Sequence, residues 1–280
     1  MVSRVIKELK HFSLNIIVWF IVFLVNFPLL WMFLTSIKQY NEVYLYPPVL
    51  ISKSPTLNHY IELFKITNFG RYFLNSLIVT ASTTLITIFV ATLTTYSLTR
   101  FKIRGSGLLS RAYLLIYLIP QVVMIIPIFL IMKNFRILNS LVSLIVTYLI
   151  FTFPYCFMML RSYMGSISRS LEEAAMIDGA SRVGAFIRIV LPAAAPGIIA
   201  TSIFSAILSW NEFLFALVLI SSDSNKTLTL GVAGLTDRMA ISSWGMLMAA
   251  GVIVVIPMLI FFIFIQKKLV FGLTAGAIKE

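Results

Sequence analysis

The chain has 280 residues, of which 60% are hydrophobic and only 11% are charged, and its mean hydropathy is +0.98. A soluble domain of this length cannot hide so much apolar surface in one core, so this composition excludes a soluble protein and indicates an integral membrane protein. The net charge of +12 does not indicate a nucleic-acid partner, because the cations lie in the connections between apolar segments rather than in one patch.

Six apolar segments are long enough to cross a bilayer as helices, which takes about twenty residues each. In chain order they cover residues 14–36, 74–98, 112–132, 141–160, 195–220 and 244–265. The first segment exceeds the apolar core of a normal signal peptide and has no small-residue cleavage site, so we expect it to be retained as a helix. The sequence therefore predicts an all-α membrane protein with one transmembrane domain over residues 1–280.

Prolines interrupt several of these segments, and they allow two interpretations. They are either kinks that neighbouring helices tolerate or hinges that open a central cavity, and the sequence does not separate the two. The prolines concerned are Pro28, Pro120, Pro127, Pro154 and Pro257.

The distribution of Lys and Arg predicts the orientation in the membrane. With six spans both termini lie on one side, and the connections on that side hold 14 of the 22 cations, against 8 on the other side. Because cytoplasmic connections carry the excess of Lys and Arg, both termini and the connection over residues 161–194 are predicted to be cytoplasmic. The long first connection, residues 39–73, then faces outside.

The polar connection over residues 161–194 begins with a predicted short helix. Ser170 followed by Glu173 has the spacing of a capping box, and Ala174 and Ala175 favour a helix. Gly179 is typical of a left-handed stop after a helix. The pattern therefore predicts a helix of about two turns.

A second helix is predicted from Ser181 until Pro192 ends it. The pair of helices fits either of two roles, a helix lying on the membrane surface or a helix docked in a groove of another protein. Two alanines beside a carboxylate suit close docking better than insertion into lipid, which favours bulky apolar residues. We therefore interpret this connection as a docking element.

Glu212 lies inside the fifth apolar segment, where an ionisable side chain is costly and indicates a functional site. Helical spacing predicts that four hydroxyl residues share its face, whereas Asn211 points elsewhere. These residues are Thr201, Ser202, Ser205 and Ser209.

This polar stripe has two interpretations. Either the serines permit close helix packing and Glu212 pairs with a polar group of a partner, or the stripe lines a solute passage. In the second case Trp210 stacks on a sugar ring, and Gln121 in the third segment contributes a polar group.

Several kinds of site have no support in the sequence. Cys156 is the only cysteine, and His11 and His59 have no companions at metal-ligand spacing, so neither an internal disulfide nor a metal site is predicted. No catalytic constellation is recognisable, and no Gly-x-x-x-x-Gly-Lys-Ser/Thr motif occurs. The chain is therefore predicted to be a non-catalytic subunit that binds no cofactor.

The polar connection resembles the EAA loop of permease subunits from ATP-binding cassette importers. Their pattern is Glu-Ala-Ala, three residues, Gly, nine residues and Ile-x-Leu-Pro, and every fixed position is met here. The likeness extends along nearly all of the chain to carbohydrate permeases of the maltose-transporter type. It includes residues 27–38, 95–100, 210–213 and 272–279.

The sequence departs from the family pattern at three places. Ser168-Arg169-Ser170 stands where a proline is common, Asn139 follows a segment that lacks a frequent glycine, and Glu280 replaces a terminal glycine.

The resemblance implies a type I importer fold with six helices in the cytoplasmic membrane. It also implies a second, homologous permease, two cytoplasmic ATPase subunits that bind ATP-Mg, and an extracytoplasmic solute-binding protein. In such a complex Glu173 pairs with an ATPase arginine, Ala174 and Ala175 form the close-approach surface, and Gly179 makes the turn. Asp178 and Arg182 support the same joint, and residues 266–280 form a flexible docking tail.

The resemblance implies import of a sugar, with an oligosaccharide preferred, by alternating access between the two sides of the membrane. A different solute, such as a glycerol phosphate, is an alternative. A secondary transporter driven by an ion gradient at Glu212 is another, although the few buried acids and the absence of an internal repeat argue against it.

Overall fold

The computed structural model describes the backbone of residues 2–101, 103–238 and 244–277. Within these ranges the regular structure is helical, which confirms the predicted all-α class. The α-helices are α1 (Val2–Ser36), α2 (Tyr40–Val43), α3 (Asn58–Ile66), α4 (Phe69–Arg100), α5 (Ser106–Leu118), α6 (Ile125–Asn134), α7 (Leu141–Gly165), α8 (Arg169–Ile177), α9 (Arg182–Ala185), α10 (Leu191–Trp210), α11 (Leu214–Leu219), α12 (Leu228–Arg238) and α13 (Trp244–Ala277). Short 3₁₀ turns occupy Gln121–Met124 and Asp223–Asn225, and a π-helical turn occupies Phe186–Val190.

Five helical stretches in the described part of the chain are long and apolar enough to span a membrane. They are Leu14–Ser36, Phe69–Arg100, Leu141–Gly165, Arg182–Trp210 and Trp244–Ile263. A sixth candidate is a pair of helices, Ser106–Leu118 and Gln121–Asn134, which are bent by 96° relative to each other. These stretches give a multi-pass membrane protein.

The third predicted span, residues 112–132, was expected to be one helix and is instead broken at Pro120. Proline has no N–H to donate, and it disfavours helical backbone in the residue before it. Ile119 accordingly has extended backbone angles, φ −73° and ψ 123°, and α5 ends at Leu118. The membrane prolines were interpreted either as tolerated kinks or as hinges. The break at Pro120 is sharper than a tolerated kink.

The fifth predicted span, residues 195–220, is also not one helix. Helix α10 ends at Trp210, and α11 begins at Leu214 after three residues without helical structure. The Asn211 side chain donates to the Ile207 carbonyl at the end of α10 (2.9 Å). Glu212 lies outside α10, so helical spacing does not place it on the face of the serines.

Helices α4, α7 and α10 pack against one another through small and hydroxyl side chains. Thr87 of α4 and Thr152 of α7 form a buried hydrogen bond of 2.8 Å, and Cys156 of α7 is fully buried. The hydroxyls of Thr201 and Thr152 each donate to a carbonyl one turn earlier in their own helix. Small residues allow membrane helices to approach closely, and Thr hydroxyls can be satisfied within the helix.

The chain forms two compact units, where the sequence predicted a single domain. One unit contains residues 68–231 and 257–280, and the other contains residues 1–67 and 232–256. None of the most apolar stretch of α1 is buried, so this helix contributes little to a protein interior. A helix in lipid needs no buried face, because its backbone hydrogen bonds are satisfied within the helix.

The long connection over residues 39–73 contains structure that the sequence analysis did not predict. It holds α2, α3 and the start of α4. His59 of α3 is fully buried, and its Nε2 lies 3.0 Å from the Lys38 carbonyl oxygen. Lys38 is also buried, with its Nζ 4.3 Å from the centre of the Trp31 ring.

The predicted flexible tail over residues 266–280 is helical as far as Ala277, because α13 continues beyond the apolar span. Residues 278–280 lie outside the described part of the chain. The docking role of this tail stays a prediction.

The contact between α10 and α7 at Gly197 predicts a sensitive position. A Cβ atom added to Gly197 would lie 2.5 Å from Cγ of Tyr163, close to the ring's attachment point, where the side chain cannot easily move away. We expect Gly197→Ala to destabilise the protein by about 1–3 kcal/mol through overpacking. Thermal unfolding in detergent micelles measures this effect.

Gly107→Ala is the matched control, because a Cβ atom at Gly107 in α5 meets nothing within 4 Å. Alanine favours a helix over glycine by about 0.5–1 kcal/mol, so this variant should be neutral or slightly more stable. Equal unfolding temperatures for the two variants would contradict the close packing at Gly197.

Candidate coupling surface and candidate cavity

Helix α8 starts one residue before the predicted cap. Ser168, not Ser170, is the N-cap: its Oγ accepts from the Ser170 N–H at 3.3 Å, and α8 starts at Arg169. The predicted capping box is therefore wrong. Ser168 has extended backbone angles, φ −59° and ψ 135°, which turn its hydroxyl toward the first N–H groups of the helix.

Gly179 ends α8 in the left-handed conformation that the sequence predicts, with φ +91°. The Gly179 N–H donates to the Met176 carbonyl at 3.2 Å, and the Ala180 N–H donates to the Ala175 carbonyl at 3.0 Å. These bonds satisfy carbonyls that the end of a helix otherwise leaves open. The chain then turns into Ser181, whose Oγ accepts from the Gly184 N–H at 3.1 Å and caps α9.

Pro192 does not end the second helix, contrary to the prediction. Helix α9 continues through the π-helical turn Phe186–Val190 into α10, so one helical stretch runs to Trp210. The Leu191 N–H donates to the Phe186 carbonyl, five residues earlier. The hydrogen-bond register therefore changes directly before Pro192. Pro192, which has no N–H to donate, then lies at the start of a new helical segment, where proline is tolerated.

One face of the α8–α9 region is exposed, and we call it the coupling surface. Glu173, Ala174 and Asp178 are exposed, as is Arg182, and Ala175 is half-buried. Ile177 is 85% exposed and Val183 67% exposed, although both are apolar. A small cleft of about 320 Å³ opens beside Ala175, Asp178 and Gly179. The predicted coupling residues are thus brought together on one accessible face.

Glu172 points the opposite way from Glu173 and is the acid that the sequence analysis missed. It is 4% exposed, and its Oε2 lies 3.0 Å from Nε of Arg100 at the end of α4. The Tyr96 hydroxyl donates to the other carboxylate oxygen. A sequence signal existed, because Tyr96 and Arg100 are four residues apart and share one helical face.

A cavity lies beside the break after α10. Its volume is about 570 Å³. Its walls are mostly apolar, with Phe151 and Phe204 among them, and its polar lining includes Gln121, Tyr148, Tyr155, Ser209, Asn211 and Glu212. A few polar groups in a concave apolar wall are typical of a small-molecule site.

The structure separates the predicted pathway residues into two groups. Gln121, Ser209 and Glu212 line the cavity, and so does Asn211, which was predicted to point elsewhere. Ser205 is fully buried and is not part of the lining. Trp210 is 2% exposed and packs edge-on against Phe73, so it does not face the cavity as expected for a residue that stacks on a sugar.

Glu212 also has a structural task that neither sequence interpretation included. One carboxylate oxygen accepts from the Phe215 N–H at 2.7 Å, and the other accepts from the Ala216 N–H at 3.2 Å. These N–H groups belong to the first turn of α11 and have no partner within that helix. Glu212 therefore caps α11 while it borders the cavity.

A network of hydrogen bonds around Asn75, Asn139 and Asp223, which we call the polar knot, holds the segment that follows α11. Asn139 has φ +55°, and its Oδ1 accepts from the N–H groups of Ser221 and Ser222 at 3.1 and 2.9 Å. Asparagine tolerates this left-handed conformation better than most residues, which explains how the chain does without a glycine there. Asn75 donates to the carbonyls of Ser224 and Lys226, both at 2.9 Å.

Asp223 is the charged centre of this knot. Its carboxylate accepts from Asn68 (2.7 Å) and Tyr72 (2.8 Å), and it pairs with Lys226 (2.9 Å). The Asn68 amide and the Lys226 ammonium stabilise the ionised form, and they lower the pKa of Asp223 far below its usual value. In the described part of the chain, no group of three or more His, Cys, Asp or Glu side chains could hold a metal ion.

Comparisons with known proteins agree with this arrangement. Residues 84–274 match the family model described as "Binding-protein-dependent transport system inner membrane component". The diacetylchitobiose uptake system permease protein DasC of Streptomyces coelicolor is 35% identical over 253 residues, which cover 90% of this chain and 91% of the relative. The sulfoquinovosyl glycerol transport system permease protein SmoH of Agrobacterium fabrum is 34% identical, over 92% of this chain and 91% of the relative.

A solved structure shows the same fold. A chain in the crystal structure of a bacterial ABC transporter involved in the import of the acidic polysaccharide alginate superposes with a TM-score of 0.80. The superposition covers 93% of this chain and 96% of that chain, at 20% sequence identity. At this identity the likeness is one of fold.

The pKa of Asp223 predicts how the polar knot responds to acid. Because the folded-state pKa lies below the unfolded value of about 3.9, its contribution is complete above pH 4 and is lost as the pH falls toward the folded-state pKa. Asp223→Asn should lower the free energy of unfolding by about 0.5–1 kcal/mol at pH 7, since the pair is partly exposed.

This difference should shrink below pH 4, where the wild-type carboxyl group begins to be protonated in the unfolded state. Unfolding temperatures of the wild type and of Asp223→Asn at pH 7 and pH 3.5 measure it. An undiminished difference at the lower pH would contradict the ionised knot.

Proposed function

Because this chain belongs to the family of binding-protein-dependent transport system inner membrane components, we propose that it is the permease subunit of an ATP-driven importer that moves a sugar into the cytoplasm. The coupling surface carries this proposal. It combines a carboxylate, small alanines and two exposed apolar side chains, Ile177 and Val183, on one accessible face. Such a face suits docking into a groove of a partner protein.

The proposed complex contains this chain, a second homologous permease, two ATPase subunits and an extracytoplasmic binding protein. ATP-Mg binds to the ATPase subunits, and this chain supplies the pathway rather than chemistry. The cation count in the connections, 14 against 8, supports a cytoplasmic position for both termini and for the coupling surface. When the ATPase pair closes on ATP, the coupling helices of the two permeases approach each other, and the transmembrane helices switch the cavity between the two sides.

In this complex Glu173 pairs with an arginine of the ATPase groove, while Ala174 and Ala175 permit close approach. Asp178 and Arg182 flank the same joint. The exposure of Glu173 supports this assignment, because no described residue of this chain forms a salt bridge with its carboxylate. Ile177 adds an apolar contact, since it is 85% exposed on a helix that stands outside the membrane spans.

The proposed solute is a sugar, and an oligosaccharide is preferred over a monosaccharide. Two relatives are named for the transport of diacetylchitobiose and of sulfoquinovosyl glycerol, and both of these solutes carry a glycosyl group. The cavity adds amide, hydroxyl and carboxylate groups in an apolar wall, which suits the mixed surface of a sugar. Gln121, Asn211 and Glu212 are the proposed polar contacts, with Ser209 at the edge.

The first test of the proposed function uses the complete complex in proteoliposomes. ATP hydrolysis should rise when binding protein loaded with the correct sugar is added outside, and sugar should accumulate inside only with ATP. Glu173→Ala should reduce co-purification of the ATPase and ATP-driven import by about tenfold or more, since it removes an interfacial charge pair. Capture of sugar by the binding protein should be unchanged.

Ser170→Ala is the control, because Ser170 is exposed on the same helix one turn before Glu173 and its replacement removes a hydroxyl but no charge. It should assemble and transport as the wild type does. Full coupled transport by Glu173→Ala would overturn the docking role of Glu173, and import by this chain without an ATPase would overturn the proposed function.

A second prediction concerns the cavity. Gln121→Leu should lower the import rate about fivefold at saturating loaded binding protein, because a neutral hydrogen bond to the solute is lost. The unfolding temperature of this variant should stay unchanged, because the Gln121 side chain forms no hydrogen bond with the described part of the chain. Glu212→Ala should lower both the import rate and the unfolding temperature, because Glu212 also caps α11. Glu212→Gln should give values between those of the wild type and of Glu212→Ala.

Asn26→Leu is the matched control for this prediction. It makes the same change from amide to leucine on α1, where Asn26 is exposed and bonds only to the Val22 carbonyl. Unchanged import in Gln121→Leu and in both Glu212 variants would remove the cavity from the proposed pathway.

A further inference from the structure

The cytoplasmic end of α4 and the start of α8 exchange polar contacts in both directions. The Arg100 guanidinium reaches α8 and the turn before it. Nε lies 3.0 Å from Oε2 of Glu172 in the first turn of α8, and Nη2 donates at 3.1 Å to the carbonyl of Ile167, which precedes α8. Arg169 of α8 donates in return to the Thr99 carbonyl in the last turn of α4. Two elements that are 67 or more residues apart in the chain are thus joined at several points.

These contacts match the electrostatics of the two helix ends. The last four carbonyls of α4 lack partners within the helix and carry partial negative charge, and Arg169 binds there. The first turn of α8 carries partial positive charge, and Glu172 lies there. The ion pair is therefore oriented favourably with respect to both helices.

Burial makes this joint resistant to separation. The side chains of Arg100 and Glu172 are only 6% and 5% exposed, and Tyr96 is 8% exposed. The Tyr96 hydroxyl donates to Oε1 of Glu172, and its ring lies 4.4 Å from the ring of Phe186. Pulling α8 away from α4 would leave a carboxylate and a guanidinium without partners in a poorly hydrated place, which is strongly unfavourable.

The covalent connections of α8 are two short turns. Residues 166–168 link it to α7 and residues 178–181 link it to α9, and neither stretch is helical. The second contains Gly179 in the left-handed conformation. A displacement of α8 would be absorbed by these turns if nothing else held the helix.

We propose that Tyr96, Arg100 and Glu172 form a latch that makes α8 and α4 one mechanical unit, so that a displacement of the coupling surface moves α4 together with α10, which already continues from α9. The three side chains are positioning residues: they touch neither the solute nor the ATPase. Glu172 and Glu173 then divide two tasks between neighbouring positions, because Glu172 faces α4 while Glu173 faces outward. This inference rests on the proposed function.

The experiment compares Glu172→Gln, Arg100→Gln and the double variant in the complete complex in proteoliposomes. Three quantities are measured: ATPase co-purification, ATP hydrolysis stimulated by loaded binding protein, and sugar imported per ATP hydrolysed. ATPase co-purification and stimulated ATP hydrolysis should be retained in each single variant. Sugar import per ATP should fall about tenfold, because a displacement of α8 is no longer transmitted to α4. The double variant should be no worse than either single variant, because the two residues act through one contact.

Tyr96→Phe keeps the ring against Phe186 and removes only the hydroxyl that donates to Glu172. It should assemble normally and should lower import per ATP about threefold, so it tests the latch even if a charge variant fails to fold. Arg104→Gln is the control, because Arg104 is an exposed cation close to Arg100 in the chain and lies outside the latch. Its import per ATP should equal that of the wild type.

The distance between α8 and the end of α4 can be measured directly with two spin labels. The labels are attached at Ser170→Cys on α8 and at Ile103→Cys just after α4, in a Cys156→Ser background. In the wild-type latch the distance between the labels should stay the same with and without ATP. In Glu172→Gln it should broaden or change on ATP binding. This readout does not depend on the identity of the sugar.

The outcomes separate the two proposals. If the wild-type complex shows no ATP-driven import, the proposed function fails. If the wild type imports sugar, and assembled Tyr96→Phe and Glu172→Gln complexes keep both the import per ATP and the fixed label distance, the latch is overturned while the proposed function stands.

Discussion

Backbone N–H and C=O groups in the hydrocarbon layer must find partners inside the protein, and this constraint governs the whole structure. Long helices satisfy it by themselves, so α1 needs no buried face. Where a helix breaks, a side chain can replace the missing backbone partner. Glu212 does so at the start of α11, and Asn139 does so for the segment that follows it.

The same constraint explains why polar residues of the fifth segment have different roles. Ser205 and Ser209 face the protein interior on α10, and Glu212 stands just beyond the helix end. The Glu212 carboxylate caps α11 and also lines the cavity, because the cavity lies beside the same helix break that the carboxylate caps. The ionisable group inside the apolar segment thus borders a cavity, although helical spacing described its surroundings incorrectly.

At the coupling surface the structure distinguishes two neighbouring acids. The EAA pattern directs attention to Glu173, which is exposed and available to a partner. Glu172 is equally acidic but closes a buried ion pair with Arg100, so it belongs to the interior of this chain. Local propensity cannot separate them, because consecutive residues of a helix differ by about 100° in direction and either one can face inward.

The all-α class and the family were accessible from the sequence, because hydropathy and a spaced motif are local properties of the chain. The left-handed turn at Gly179 was accessible for the same reason. The break at Pro120, the continuation through Pro192 and the latch between Arg100 and Glu172 were decided by tertiary structure. They depend on which carbonyls, N–H groups and charges meet across elements that are far apart in the chain, and no local pattern records that meeting.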